Sequence, residues 1–492
     1  MPSSKTLAQQ SHAFLFAKPR TTLFMDKHKL TLQEMRGIEF PSDVIRSLAL
    51  NIMNRHFKHT PNEEKINTIN TVLTHPEHYH DHETLSVLAL KLMSKTALEV
   101  AHDFFDLADE PKHFEVFGNK HIESNAIKQM EMVMRLPVVM KGALMPDAHQ
   151  GYGIPIGGVV ATENAVIPYG VGMDIGCRMA LSILDLPGSY VDRNVYAARK
   201  ALHDNTHFGN DGGLEFRQDH AILDHPHFQS TELLRRLHGK AARQLGSSGS
   251  GNHFVEFGVV MLHEENTLQL PGGAYAALLS HSGSRSLGAN IAQHYTNVAI
   301  AKCRLPREAR HLAWLTLDSD EGQAYWLAMN LAGEYAKACH DRIHHNVCRA
   351  LGVKTVATVE NHHNFAWKET HGNTEYVVHR KGATPAGEGV HGIIPGSMTT
   401  PGYIVRGLGN ALSIQSAAHG AGRKMSRQKA KDSITMSSLK KMLQAEKVTL
   451  IGGSPEEAPG AYKDIEVIMK SQGTLIEVEG KFHPRVVRMA KD

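Results

Sequence analysis

The run YAALLSHSGSR, residues 275–285, decides how this chain is read. A short apolar stretch reads as a strand, and the glycine turn breaks it directly after His281. The same grammar recurs along the chain. GIPIGGVVAT (153–162), HFVEFGVVML (253–262), VATVENHHN (356–364) and EYVVHRKGAT (375–384) are all short runs set between glycine-rich turns. Between them lies a long amphipathic segment, 320–351, read as a helix with Trp326, Met329, Ala332 and Ile343 on its buried side and Gly352 as its stop. His344 and His345 on it point about 100° apart, so they are packing or surface residues and not a ligand pair. Strands and helices mix without strict alternation, which predicts an α+β fold.

The first hundred residues read differently. PSDVIRSLALNIMNRHF (41–57) starts at Pro41 and Ser42 and repeats Val44, Leu48, Ile52 and Phe57 at roughly helical spacing. NEEKINTINTVL (62–73) and ETLSVLALKLMSKTALEV (83–100) are also helical. Between those two, HPEHYHDHE (75–83) gathers His75, His78, His80 and His82 without a known ligand spacing, and is read as a solvated loop. The pattern breaks across ADEPKHFEVFG (108–118). A helical N-terminal extension over 1–113 and a catalytic domain over 114–492 are therefore expected.

Composition sets the bounds. The chain has 492 residues, 41% hydrophobic and 21% charged, as in a globular protein with a sizeable core. Neither a signal-peptide pattern nor an apolar stretch of membrane-spanning length stands out, so the cytoplasm is the expected compartment. Four cysteines with no C-x-x-C pair indicate neither a disulfide scaffold nor a cysteine-rich zinc site. A net charge of only +3 excludes a globally basic coat. A polyanion must instead meet a local patch, and Arg423, Lys424, Arg427, Lys429 and Lys431, with Asp432 the first acid, form one.

Several strand-like runs end at metal-ligating residue types: Asp174 and Cys177 in GVGMDIGCR, Asn252 and His253 in GSGNHFVEF, then His281, His362 and His363. A carboxylate, a thiolate and three imidazoles suit a transition metal, and they supply two ions if the thiolate bridges. Thiolate softness argues against magnesium and calcium but leaves zinc, iron, cobalt and manganese open.

SAAHGAGRKMSR (416–427) strips the surroundings of His419 to Gly420, Ala421 and Gly422 and then adds cations. Small residues let backbone N–H groups approach a phosphate, Arg423 can neutralise developing charge, and a neutral imidazole is a nucleophile. Two readings stand at this point, a nucleotide-handling loop or a glycine-rich turn whose histidine caps a helix. The Walker pattern and any lysine-x-aspartate-glycine ligase signature are absent.

From about residue 114 onward the chain resembles the RtcB family of RNA-splicing ligases. The motifs LMPDAHQGYGIPIGGVVAT, VGMDIGC, GSGNHFVEF, HSGSRSLG, HHN, IIPGSM, YIVRGLGN and HGAGRKMSR occur in the family's order. The resemblance implies a catalytic domain of mixed sheets and helices around a dimetal cleft. It implies joining of RNA 2′,3′-cyclic phosphate or 3′-phosphate ends to 5′-hydroxyl ends, with GTP and two manganese ions, through a covalent GMP on His419. One metal takes Cys177, His281 and His363; the other takes Asp174, Cys177 and His253. His362 is left structural. Nucleotide contacts fall on Asn252, His253, Glu256, His363 and Asn364, on Pro395, Gly396, Ser397 and Met398, and on His419, Gly420, Ala421, Gly422 and Arg423. The expected partners are broken RNA or tRNA ends and an archease-like activator.

Two departures bear on nucleotide choice. Gly402 stands where the family commonly has serine, and ungapped alignment puts Met489 at the family's terminal nucleotide-contacting lysine. Lys491, two residues on, is the available substitute, and a relaxed or changed nucleotide preference is expected. Two rival functions use the same residues: a dinuclear phosphoesterase, which has no need of His419 and its glycine setting, and a non-catalytic RNA-end binder.

Overall fold

The computed structural model describes residues 29–41, 43–96, 103–209 and 217–490, and the chain divides into two compact units, Met1–Ala101 and His102–Asp492.

The first unit is helical: Asp43–His56, Asn62–Thr74 and Ser86–Thr96, with a short 3-10 turn at Pro76–Tyr79. Its core closes on Ile45, Ala49, Ile52 and Met53 from the first helix, with Ile69, Val72, Leu88 and Leu92. Ile52 of the expected line is buried, and the rest of the stripe, Ile45, Ala49 and Met53, runs one residue along from the expected positions. Leu48 and Phe57 are only partly buried against it. Ser42 and the side chain of Val44 lie outside the described residues. His75, His78, His80 and His82 are exposed, and His75 stacks on His78 with centroids 5.5 Å apart. No metal-holding group forms there among the described residues.

The second unit is built on two mostly antiparallel sheets. The larger runs in the order Thr355–His362, Arg178–Pro187, Gly273–Ser282, Phe254–Leu262, Ile476–Met489, Gly402–Gly407 and His391–Ile394, and Thr449–Ile451 adds in parallel to Ile476–Met489. The smaller holds Asn364–His371, Thr374–Lys381, Ile156–Thr162, Val139–His149 and Glu115–Val116. At one of its crossings between the sheets the chain passes through a single residue. Thr355–His362 ends in the first, Asn364–His371 begins the second, and His363 lies between.

The unit boundary falls ahead of the break at 108–118 because the intervening residues already pair with the second unit. Asp103–Phe104 is parallel to Cys303–Arg304, and Glu115–Val116 to Ala143–Leu144.

The long helix spans Asp320–Leu351. Ser319 caps it by accepting the Gly322 N–H, and Gly352 ends it at φ +67°, a left-handed turn that a glycine adopts without strain. Met329, Ala332 and Ile343 are buried as expected, whereas Trp326 is only partly covered. His345 is exposed, and His344 is buried and bonded to Ser182 and Ser280 at 2.7 Å each. All four cysteines are buried free thiols. Among the described residues no helix is long and apolar enough to cross a membrane.

Candidate active site

Register in the larger sheet brings the ligand candidates to one end. Phe254 pairs with His281, Met179 also pairs with His281, and His362 pairs with Arg178. Cys177, His253 and His363 each sit one residue beyond those paired positions, so three adjacent strands and the inter-sheet link deliver their side chains to one place.

There the donor atoms converge. Cys177 Sγ lies 3.2 Å from His281 Nε2 and 3.4 Å from His253 Nε2. His281 Nε2 and His363 Nε2 are 3.1 Å apart, and Asp174 Oδ2 is 3.0 Å from His253 Nε2. The His281 Nδ1–H donates to the Asn252 carbonyl at 2.9 Å, which leaves its Nε2 lone pair aimed at the cluster. Lone pairs facing one another at these distances repel unless a cation lies among them. Burial pushes the His281 imidazole down to about 3 and His363 well below its ordinary value, so both are neutral and ligand-competent. Burial also pushes the Cys177 thiol up, a direction that a metal ion reverses. For Asp174 burial acts upward, but the hydrogen bond and charge of His253 outweigh it and the carboxyl is lowered.

The donors form two groups, Cys177–His281–His363 and Asp174–Cys177–His253, that share the thiolate. A soft sulfur, three imidazoles and one carboxylate fit a dinuclear transition-metal site. Gly283 makes room for it, since a Cβ there would stand 1.9 Å from Asp174 Oδ1.

His419 faces this cluster, its ring centroid 5.0 Å from that of His363. Sequence reasoning did not single out its partner, Asp147. The Asp147 carboxylate is fully buried, and its Oδ2 accepts from His419 Nδ1 at 2.6 Å and from the His419 backbone N–H at 3.2 Å. That bond fixes the tautomer and leaves Nε2 as the free nucleophilic nitrogen. Asp147 Oδ1 has no hydrogen-bond partner although it is buried. The turn after His419 needs Gly422: its φ is +71°, and a Cβ would lie 2.2 Å from the Asp147 carbonyl oxygen. The one sequence cue was an aspartate near the end of a strand, in PDAHQG, four residues before a glycine.

A cleft of about 670 Å³ opens beside His419. Asn252, Glu256, His281, His363, Pro395–Met398 and His419–Arg423 line it, together with both departures, Gly402 and Met489. Burial pushes the Glu256 carboxyl well above the usual carboxylate range. Asn364 is not part of the lining, and its Oδ1 accepts the Gly382 N–H at 2.9 Å. Lys491 lies outside the described residues. His362 is held by Arg178 at 2.7 Å and stacks on Phe365.

Arg423 is more tightly committed than its motif suggests. Its guanidinium donates to Glu457 at 2.8 Å, to the Glu456 carbonyl at 2.6 Å and to the Met425 carbonyl at 3.1 Å, and it lies over the Tyr462 ring. It braces the loop after His419 while one face remains on the cleft.

An oriented imidazole beside a paired metal site suits an enzyme that attacks phosphorus through nitrogen while metal ions carry the charge. Comparison with known proteins gives that class a family. The family model described as tRNA-splicing ligase RtcB matches residues 129–225 and 206–490. The chain is 32% identical over 392 residues to the RNA-splicing ligase RtcB of Escherichia coli (strain K12), covering 73% of this chain and 92% of that protein. It is 32% identical over 440 residues to the tRNA-splicing ligase RtcB of Nanoarchaeum equitans, covering 74% and 91%. RNA-splicing ligase RtcB homolog 2 of Entamoeba dispar is 30% identical over 440 residues, covering 74% and 83%. This chain belongs to the RtcB family and is an RNA ligase of that type.

Proposed function

We propose that the protein joins RNA 3′-phosphate or 2′,3′-cyclic phosphate ends to 5′-hydroxyl ends, with GTP as the nucleotide and manganese as the working ion. The observation that carries this reading is the Asp147–His419 bond, which leaves one imidazole nitrogen free beside the metal cluster.

His419 Nε2 attacks the α-phosphorus of GTP. A nitrogen–phosphorus bond forms as the bond to the bridging oxygen breaks, and pyrophosphate leaves. An oxygen of the RNA 3′-phosphate then takes the guanylate from His419. The RNA 5′-hydroxyl attacks the activated 3′-phosphorus, closes the phosphodiester and expels GMP. A cyclic end must first be opened by water. Asp147 holds the ring through both transfers and steadies the positive charge that the ring carries once the N–P bond has formed, until that bond breaks and the neutral imidazole returns. Cys177, His281 and His363 would hold one divalent ion and Asp174, Cys177 and His253 another, and the pair would supply charge neutralisation for the phosphoryl groups.

The base side of the cleft supports a relaxed nucleotide preference. Met489 packs with Met398 and Val487 on the lining, and it offers no donor to a base or phosphate. Adduct formation with GTP at least a hundredfold above ATP, CTP and UTP would overturn that part. The cytoplasm as compartment, tRNA or other broken RNA as substrate, and an archease-like activator belong to the same proposal.

Incubation with manganese and α-labelled GTP or ATP, followed by a denaturing gel, tests the core of it. A labelled band that disappears in both His419→Ala and Cys177→Ala is expected. No band with any nucleotide, from metal-loaded protein, would replace the ligase scheme with phosphoester hydrolysis.

A further inference from the structure

Beyond His419 the chain builds an outer face that the transfer chemistry does not use. Ser426 caps the helix Arg427–Ser433 by accepting the Lys429 N–H, and Thr435 caps Met436–Ala445 by accepting the Ser438 N–H. The second helix spans about 15 Å. Its inward residues Leu439 and Leu443 pack into the same apolar cluster as Met398 and Met489, and those two methionines line the cleft. The helix therefore backs directly onto the cleft wall, and Arg427, which begins the first helix, is itself a lining residue.

The outward side is cationic. Between residues 423 and 447 there are eight lysines and arginines against two carboxylates, Asp432 and Glu446, a net charge of +6 in a chain whose total is +3; Arg423 and Arg427 pair with Glu457 at the cleft, and the six lysines face outward. Lys424, Lys429, Lys431, Lys440, Lys441 and Lys447 are all exposed. Lys431 is paired with Glu456 at 2.8 Å, whereas the other five have no carboxylate partner among the described residues. Unneutralised cations clustered on one face cost stability through mutual repulsion, which a bound polyanion relieves.

We infer that this two-helix face is the track along which the backbone of a single-stranded RNA runs as it leaves the cleft. The inference rests on the ligase reading for the identity of the polyanion. RNA is favoured over an acidic protein because the face is continuous with the cleft where the reacting phosphate must lie. The track reads phosphates and not bases, so binding to it is independent of sequence and sensitive to salt.

The test is fluorescence anisotropy with a labelled single-stranded RNA bearing a 3′-phosphate, across a salt series. It compares the full-length protein with a variant carrying Lys429→Glu, Lys440→Glu, Lys441→Glu and Lys447→Glu. A control carries Lys240→Glu, Lys354→Glu, Lys368→Glu and Lys470→Glu, the same charge change on exposed lysines elsewhere. Thermal unfolding midpoints establish that both variants are folded. The track variant is expected to bind at least about tenfold more weakly. The slope of log affinity on log salt should flatten by about 0.7 for each phosphate that the track no longer neutralises. Equal weakening in track variant and control overturns the inference, and so does unchanged RNA affinity, which would leave the face to an acidic protein partner. A wild-type protein that binds RNA through the track yet forms no nucleotide adduct would sink the ligase scheme and leave this inference standing.

Discussion

Asp147 and His419, 272 residues apart in sequence, share a 2.6 Å bond from imidazole Nδ1 to a fully buried carboxylate oxygen. The same oxygen also accepts the His419 backbone N–H, so ring and main chain are both set by one group. Asp147→Asn replaces a double acceptor with an amide whose N–H₂ cannot serve Nδ1–H. The labelled nucleotide adduct on His419 should then form at least about a hundredfold more slowly. Metal content should stay at the wild-type level, because Asp147 is not among the clustered donors. An unchanged adduct rate would remove the positioning role.

The shared thiolate makes an asymmetric prediction about metal. Cys177 belongs to both donor groups and His281 to one. Cys177→Ala is therefore expected to abolish binding of both ions, while His281→Ala leaves Asp174, Cys177 and His253 able to hold one. Elemental analysis after dialysis counts the ions directly. Cobalt-loaded protein adds a second readout, since thiolate-to-metal charge transfer should survive His281→Ala and vanish in Cys177→Ala. Two ions retained without the thiol would refute the bridge.

Gly283 acts on one ion through space it leaves empty. The Cβ of Gly283→Ala would approach Asp174 Oδ1 to 1.9 Å, and the carboxylate has to move. Displacing one ligand this way should weaken the Asp174–Cys177–His253 ion by roughly 10–100-fold. The His281–His363 ion should be little affected. Competitive titration against a metal indicator separates the two affinities.

The parts of this architecture that were legible are those written locally. Glycine turns beside short apolar runs marked Cys177, His253 and His281 as strand-end ligands, because a turn and its strand are neighbours in sequence, and His363 was marked by its place at the end of such a run. Ser319 and Gly352 likewise delimit the long helix from within it. Asp147 was not legible as the partner of His419. Their contact comes from packing the strand Ser416–Ala418 against Val139–His149, and no local pattern encodes it. The commitment of Arg423 to Glu457 has the same origin, a distant carboxylate brought in by the fold. In the first helix Ile52 was placed correctly, while the other buried positions lie one residue along from the expected ones. Leu48 and Ala49 are both apolar, and spacing alone does not say which lies on the buried axis.

His379 gives the catalytic unit a built-in acid limit away from the metal donors. It is fully buried, and Ile167 N–H donates to its Nε2 at 2.9 Å while its Nδ1–H faces the Val160 carbonyl at 3.3 Å. Protonation would set a second N–H against the Ile167 donor. Burial, opposed only in part by the backbone carbonyls, pushes this imidazole down to about 4. An unfolded histidine titrates near ~6.5. Between those values the unfolded chain holds a proton that the folded one does not, so stability falls as pH drops through the window and is level above it. The single group accounts for roughly 3 kcal/mol between pH 7 and pH 4. Urea unfolding of wild type and His379→Gln across that range measures it. The glutamine variant starts less stable at pH 7, and its decline on acidification should be smaller by about that amount. Parallel pH profiles for the two proteins would show that His379 carries no part of the acid sensitivity.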